Sequence, residues 1–376
     1  MRILFDHQVF SWQKYGGISR YFAEIIRGVT RRGETALLPF GFYTQNVHLR
    51  DIAGIEIHPI CPFAFKGIGL AQNHFGKRIT LNTLSRERPD ILHPTYYDPY
   101  FLDRSERLQI PFVLTVHDMI HEIFDHRSRS LISLDAVVVG GKKRLAEKAA
   151  AIIAVSENTR RDLLQLYPDV DPDKVRVIWH GNSLVPDLRA PFQLDLPERY
   201  ILFVGNRKAY KNFSWFVREI SPYLLENKDL QLVCAGSAGF DQKERRLLRE
   251  LHIDGITRHL PFGNDQELAE IYRRAICFVF PSGYEGFGIP VLESFACGCP
   301  VVLNQASSLP EVGGDAALYF ETGRRDSLIQ AIDQVAGSVP KRQEMQRLGF
   351  ARVEKFSWEN SVTQHVNVYR AVASGG

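Results

Sequence analysis

FPSGYEGFGIPVLESFACGCPVV, residues 280–302, reads as a strand end, a glycine turn and a helix start, with a further strand beginning at Pro300. The apolar run Cys277–Phe280 supplies the first strand and Val291–Ala296 the helix. Glu285 stands before the helix and Glu293 inside it, eight positions apart, with Gly286, Phe287, Gly288 and Pro290 between them. Open backbone N–H groups at such a helix start attract anions, phosphate above all. The two acids repel phosphate but suit hydroxyls, whose hydrogen bonds they accept. Phosphate and hydroxyls on one small surface point to a nucleotide-sugar.

Outward from this stretch, short β-rich runs alternate with longer amphipathic ones. Predicted strands in the first half are Arg2–Phe5, Thr35–Phe40, Ile55–Pro59, Asp90–His93, Phe112–Val116, Ala151–Val155 and Val175–Ile178. In the second half they are Tyr200–Gly205, Leu230–Ala235, Thr257–Leu260, Cys277–Phe280, Pro300–Leu303 and Ala317–Phe320. Runs such as AIIAV, YILFVG, LQLVCAG and CFVF lack polar alternation, as strands covered on both faces of a parallel sheet do. Residues 185–199, VPDLRAPFQLDLPER, hold three prolines and no periodicity, which marks a linker. The fold class is therefore α/β, with two doubly wound domains facing a cleft and ligands at the carboxyl ends of the strands. The predicted division is a first domain over 1–187, a linker over 188–198, a second domain over 199–356 and a closing helix within 357–376, with Ser357 as its N-cap.

Composition narrows the function. The 376 residues suit two or three domains. An apolar fraction of 45% with 24% charged residues is that of an ordinary globular protein. A net charge of only +3 argues against a general nucleic-acid binder. Five cysteines, an odd number mostly in apolar runs, argue against a disulfide framework. The chain enters a strand at once, without a signal peptide, and no apolar run approaches the ~18 residues of a membrane span. These features predict a protein of the reducing cytosol.

Three further motifs sit at predicted strand ends. Gly16-Gly17 opens a helix over Ile18–Val29, where two glycines let a ligand approach the backbone. Gly205-Asn206-Arg207-Lys208-Ala209-Tyr210-Lys211-Asn212 holds three cations within five residues, suited to a pyrophosphate. Neither is the dinucleotide fingerprint, which needs G-x-G-x-x-G. His117-Asp118-Met119-Ile120-His121 spaces two histidines by four, but a zinc protease needs Glu after the first. His117 is better read as a hydrogen-bond donor to a sugar hydroxyl, and His121 as a helix-surface or packing residue. Ser156 is placed to cap the helix after AIIAV. Basic doublets, including Lys142–Lys143, read for the most part as solvated helix faces. The segment His126–Lys148, with Arg127, Arg129, Lys142, Lys143, Arg144 and Lys148 around apolar runs, reads equally as a solvated helix with a buried face or as a surface for anionic membrane. Tyr96, Tyr97, Tyr100 and Phe101 either stack on acceptor sugars or pack.

Taken together, these residues resemble the retaining glycosyltransferases of family 4, which have the GT-B fold, and in particular the bacterial polysaccharide and lipopolysaccharide mannosyltransferases. The likeness spans nearly the whole chain. Its strongest mark is the E-x7-E element, Glu285 to Glu293, supported by YGGISRYF, VHD, AVSENTRRDL, Gly181-Asn182 and Lys211-Asn212. The resemblance implies that His117, Lys211 and Glu285 carry the chemistry. Lys211 with Arg207 binds the donor pyrophosphate, and Glu293 accepts hydrogen bonds from the ribose. Glu285, with the backbone of Gly286, Phe287 and Gly288, contacts the donor sugar. His117 lies near the reaction centre, Gly16 and Gly17 near phosphate or acceptor, and residues 260–262 near the base. The last helix returns to the first domain.

One departure matters. Many family members place Arg directly after the glycine, whereas here Asn206 stands there and Arg207 follows, which puts the pyrophosphate role of Arg207 in question. The implied activity is hexose transfer from a nucleotide diphosphate sugar, first mannose from GDP-mannose, to a surface-polysaccharide or lipid-linked oligosaccharide hydroxyl. Peripheral contact with the inner membrane face is part of that expectation. No Asp-x-Asp pair falls in a predicted cleft loop, so no metal and no other cofactor is expected. The rival readings are a nucleotide-sugar 2-epimerase, a non-catalytic nucleotide-sugar sensor and a metal hydrolase built on His117 and His121.

Overall fold

The computed structural model describes residues 1–39, 46–49, 52, 68–124, 134–187, 194–207, 209–236 and 238–375. The predicted strand 55–59, Cys61, Lys208, residues 126–133 of the basic segment and residues 188–193 of the predicted linker lie outside them. The chain divides into two compact units, Met1–Gly181 with Trp358–Gly376, and Asn182–Ser357.

In the first unit the strands are β1 (Arg2–Phe5), β2 (Thr35–Leu37), β3 (Ile91–His93), β4 (Val113–Val116), β5 (Ala151–Ala154) and β6 (Val175–Val177). They form parallel sheets ordered β2-β1-β3 and β4-β5-β6, and a parallel bridge between Leu92 and Phe112 links the two. Strand order reverses between β1 and β3, and buried Asp6 ties the two strand ends together there. Its carboxylate accepts from Thr95 N and Oγ1 at 2.8 and 2.7 Å, and from Gln8 Nε2 at 2.7 Å. Ser156 caps the helix Glu157–Leu166, accepting from Thr159 N at 3.0 Å.

The second unit is one parallel sheet of six strands, ordered β12-β11-β10-β7-β8-β9. Its strands are β7 (Tyr200–Val204), β8 (Gln231–Ala235), β9 (Thr257–Leu260), β10 (Cys277–Phe280), β11 (Val301–Asn304) and β12 (Ala317–Phe320). Every residue of β7, β10 and β11 is buried, which explains their unbroken apolar sequence. The helix Phe213–Glu226 lays Phe213, Phe216, Val217, Ile220 and Leu224 on the same core as Ile201 and Phe203. Strand order reverses between β7 and β10, the position where a doubly wound sheet leaves an open crevice.

The helix Trp358–Ser374 belongs to the first unit and packs on the helix Gly17–Arg31. The approach is close: a Cβ on Gly28 would lie 2.3 Å from Val362 Cγ2. This last helix also carries polar groups into the interior. His365 Nδ1 lies 2.7 Å from the Ser361 carbonyl and must donate to it, so Nε2 of the neutral ring accepts from Tyr21 Oη at 2.5 Å. The Thr115 hydroxyl then donates to Tyr21 Oη at 3.0 Å and accepts from His93 Nε2 at 2.9 Å. His93 Nδ1 is left to accept from Tyr369 Oη at 2.6 Å. The chain runs in one direction, and it requires both imidazoles to be neutral.

Burial supplies that neutrality. It lowers His365 to about 4 and His180 to about 3, and holds His93 and His117 well below the usual 6.5. The unfolded chain takes up these protons first as pH falls through about 6.5, so folding stability is full above that pH and is lost toward the folded values. Each such histidine costs about 1.4 kcal/mol per pH unit within that window. Thermal melts should therefore show Tm falling between pH 6.5 and 5, where exposed carboxylates remain ionised. A flat Tm over that range would refute the neutral, buried assignment.

Candidate donor-binding site

The expected site residues fall into two groups, one in each unit. In the second unit, Lys211 follows β7 and Glu285 follows β10, so both stand where the strand order reverses. Gly205 ends β7 at φ +116°, a conformation side chains disfavour, and its Cβ position faces open space. The chain then makes a 3-10 turn over Ala209–Lys211 and enters the helix Phe213–Glu226. Lys211 is largely buried. Its ammonium lies 2.5 Å from Glu285 Oε1 and 4.8 Å from the centre of the Phe280 ring. An ammonium has three donors, so one carboxylate does not exhaust it.

The turn that carries Glu285 is fixed from behind by side chains the sequence reading passed over. Glu285 N donates to Ser307 Oγ at 2.9 Å. Ser308 Oγ lies 2.9 Å from the Glu285 carbonyl and 2.8 Å from that of Phe287. Asn304 Nδ2 donates to the Ser282 carbonyl at 2.9 Å, and Asn212 Nδ2 to that of Pro281 at 3.0 Å. Gly288, at φ +107°, is the N-cap of the helix Ile289–Ala296, and no side chain caps that start. Glu293 is buried within the helix and accepts from Tyr272 Oη at 3.2 Å. Burial, and next the Glu293 charge, push the Tyr272 hydroxyl well above its ordinary range, so it stays a donor.

Arg207 turns elsewhere. Nε donates to Glu244 at 2.7 Å and Nη2 to the carbonyls of Ala238 and Gly239 at 2.7 and 3.1 Å. Its guanidinium lies 4.9 Å from the Phe240 ring centre and 5.7 Å from that of Phe213. Only Nη1 is buried without a partner. In this arrangement Arg207, expected beside Lys211 on a pyrophosphate, braces the loop after β8.

In the first unit, Gly16 is the N-cap of the helix Gly17–Arg31, and a Cβ there would lie 2.4 Å from Gln13 Oε1. That oxygen accepts from Ser19 N at 3.0 Å, so the glycine leaves room for a side-chain cap. His117 follows β4. Its backbone N–H donates to Tyr97 Oη at 3.0 Å, and Nε2 is buried without a partner. Burial, His180 and Lys142, in that order, keep the ring neutral. His121 lies on the short helix Ile120–Phe124. Among the described residues no cluster of three His, Cys, Asp or Glu side chains could hold a metal ion.

Two open readings are narrowed. Of the aromatic group, Tyr97 and Phe101 are core residues, whereas Tyr96 is half-buried against Trp12 with ring centres 5.0 Å apart. In the basic segment, Lys142 is wholly buried rather than solvated. Lys143 and Arg144 face Glu147 and Asp103 at 3.8 and 3.9 Å, and Lys148 pairs with Glu106. No helix among the described residues is long and apolar enough to cross a membrane.

Residues 15–184 match the family described as Glycosyltransferase Family 4, and residues 185–351 match Glycosyl transferases group 1. The chain is a family 4 glycosyltransferase. This glycosyltransferase is 29% identical to O-antigen chain mannosyltransferase B of Escherichia coli over 298 residues, 74% of this chain and 73% of that one. Sucrose-phosphate synthase from Thermosynechococcus elongatus superposes at TM-score 0.77 and 20% identity, covering 100% of this chain and 99% of that one. HepE of Anabaena, solved with UDP and glucose, superposes at TM-score 0.74 and 16% identity, covering 99% and 100%. The fold is GT-B, and the enzyme is a transferase that takes a nucleotide-sugar donor.

Substituting the two cations separates their tasks. Lys211→Ala should lower turnover by more than about tenfold, or about 1.4 kcal/mol of transition-state stabilisation, and should lower Tm as well, because it strands Glu285. Arg207→Ala should lower Tm while leaving turnover within about threefold, because it strands Glu244 and two carbonyls. Steady-state kinetics and melts on both variants check this, and the opposite pattern would return Arg207 to the phosphate.

Proposed function

We propose that this glycosyltransferase moves mannose from GDP-mannose to a hydroxyl of a surface-polysaccharide or lipid-linked oligosaccharide acceptor, with retention at the anomeric carbon. The observation that carries the reading is the Lys211–Glu285 pair, where strand order reverses in the second sheet. A cation and a carboxylate side by side suit a ligand that offers phosphate and hydroxyl groups together. On this reading Lys211 takes the β-phosphate, Glu285 and the backbone of residues 286–288 take sugar hydroxyls, and Glu293 takes the ribose. His117, neutral and with Nε2 unpartnered, serves the sugar's reacting end. The mannosyltransferase relative from Escherichia coli supports the choice of sugar and of a polysaccharide acceptor.

The chemistry then asks little of general bases. The bond from the anomeric carbon to the β-phosphate oxygen breaks, and the acceptor oxygen bonds to that carbon on the same face. The departing phosphate takes the acceptor's proton. Negative charge grows on that phosphate, and a fixed ammonium beside it stabilises the transition state more than the ground state. Removing one such preorganised donor typically costs about 10²–10³ in kcat. We propose that this cation serves in place of a divalent metal, so turnover should survive EDTA. Activity lost in EDTA and restored by Mg²⁺ would reject that part. Peripheral membrane contact gains little from Lys143, Arg144 and Lys148, which already face carboxylates.

The deciding experiment is a thermal-shift panel of nucleotides and nucleotide-sugars, because a ligand at 100 times its Kd adds about 2.7 kcal/mol to stability. GDP and GDP-mannose should give the largest shifts, and Glu293→Ala should shrink them. Shifts confined to UDP-sugars would move the donor to glucose or a related hexose. Nucleoside diphosphate release with no acceptor present, at the full turnover rate, would favour an epimerase.

A further inference from the structure

The helix Leu134–Lys148 does more in the first unit than cover a sheet. Gly141 lets it press on the segment after β3, for a Cβ there would lie 2.1 Å from the Tyr97 carbonyl oxygen. That contact brings Lys142 into the interior, fully buried. Its ammonium donates to the Asp118 carbonyl at 2.9 Å and to Glu122 Oε2 at 2.9 Å, and lies 4.8 Å from the centre of the Tyr97 ring. Tyr167 Oη donates to Glu122 Oε1 at 2.6 Å, so both carboxylate oxygens are engaged. Tyr97 Oη in turn accepts the backbone N–H of His117. The peptide groups on either side of the His117–Asp118 turn are thus each held by one member of the same cluster.

A buried ion pair is a poor way to gain stability, since apolar residues of equal volume often do as well. What apolar residues cannot do is aim a backbone. Lys142 fixes a carbonyl and Tyr97 fixes an N–H, one residue apart, next to the buried imidazole whose Nε2 has no protein partner.

We propose that Lys142 is a positioning residue of this enzyme: with Glu122 and Tyr97 it sets the His117–Asp118 turn and so the direction in which His117 Nε2 meets a sugar hydroxyl. The inference rests on the assignment of His117 given above. It assigns Lys142 to the reaction rather than to a solvated or membrane-facing surface, although Lys142 itself touches no substrate.

A double-mutant cycle tests it. Lys142→Met with Glu122→Gln removes the pair without stranding a charge and leaves an acceptor for Tyr167. GDP release from GDP-mannose and UDP release from UDP-glucose are measured in parallel, each with and without the substitutions, in wild-type and His117→Ala backgrounds. The expected result is a kcat lowered at least tenfold with donor KM within threefold, and less than a twofold further change once His117 is alanine. An equal fold-loss in both backgrounds, or no loss with His117 present, overturns the proposal and leaves the pair structural. His117→Ala running at the wild-type rate would overturn the His117 assignment, and this inference with it. Tyr97→Phe, which deletes one oxygen, carries the same test if the paired variant does not melt like the wild type, and the same coupling to His117 is expected.

Discussion

A parallel sheet gathers the carboxyl ends of its strands along one edge, and helices leave that edge toward both faces. Where strand order reverses, neighbouring strands send their helices to opposite faces, and the gap between them stays open. In the second unit that gap lies between β7 and β10. It is the constraint from which the candidate donor site follows. Lys211 enters from the loop after β7 and Glu285 from the loop after β10, separated by 74 positions in sequence and by 2.5 Å in space. Asn212 ties the first loop to the backbone of the second, and Asn304, Ser307 and Ser308, at the end of β11 and just after it, hold the second loop from behind, so the pair sits on side-chain struts rather than on free loop.

The first unit meets a different constraint. It buries hydroxyls, imidazoles, a lysine and several carboxylates, and each needs partners in the interior. Two networks answer this. One runs from Tyr369 through His93, Thr115, Tyr21 and His365 to a carbonyl on the last helix. The other joins Lys142, Glu122, Tyr167 and Tyr97 behind His117. Because donors and acceptors alternate along each network, shifting one element breaks bonds at both ends. Polar interiors of this kind specify one arrangement where an apolar core tolerates several.

The sequence announces whatever is local. Continuous apolar runs mark the parallel strands, Ser156 marks a cap, and the glycines at 286 and 288 mark the turn before the helix, because each signal depends on a few adjacent residues. Lys211 and Glu285 are legible one at a time, by charge and by position at a strand end. Their pairing is not, because it is made across the sheet. The same holds for Asn304, Ser307 and Ser308, which carry no spacing of their own. Lys142 misleads for another reason: a Lys-Lys doublet looks solvated, and only Gly141 beside it hints at a close backbone approach. Arg207 bonds Glu244, 37 positions away, and no local spacing announces that partner.

The glycine at position 28, cut away to admit Val362, has a consequence for the order of events at the ribosome. The first unit lacks part of its core until residues 358–374 emerge, whereas Asn182–Ser357 is a complete unit as soon as it is synthesised. The half of the enzyme that is made first is thus finished last. Until then Tyr21 and His93 wait for partners that are still being synthesised. A chain that stops short of Trp358 does not lose a tail. It keeps an intact second unit joined to a first one with an open, polar seam, the kind of half-built intermediate on which chaperones and proteases act.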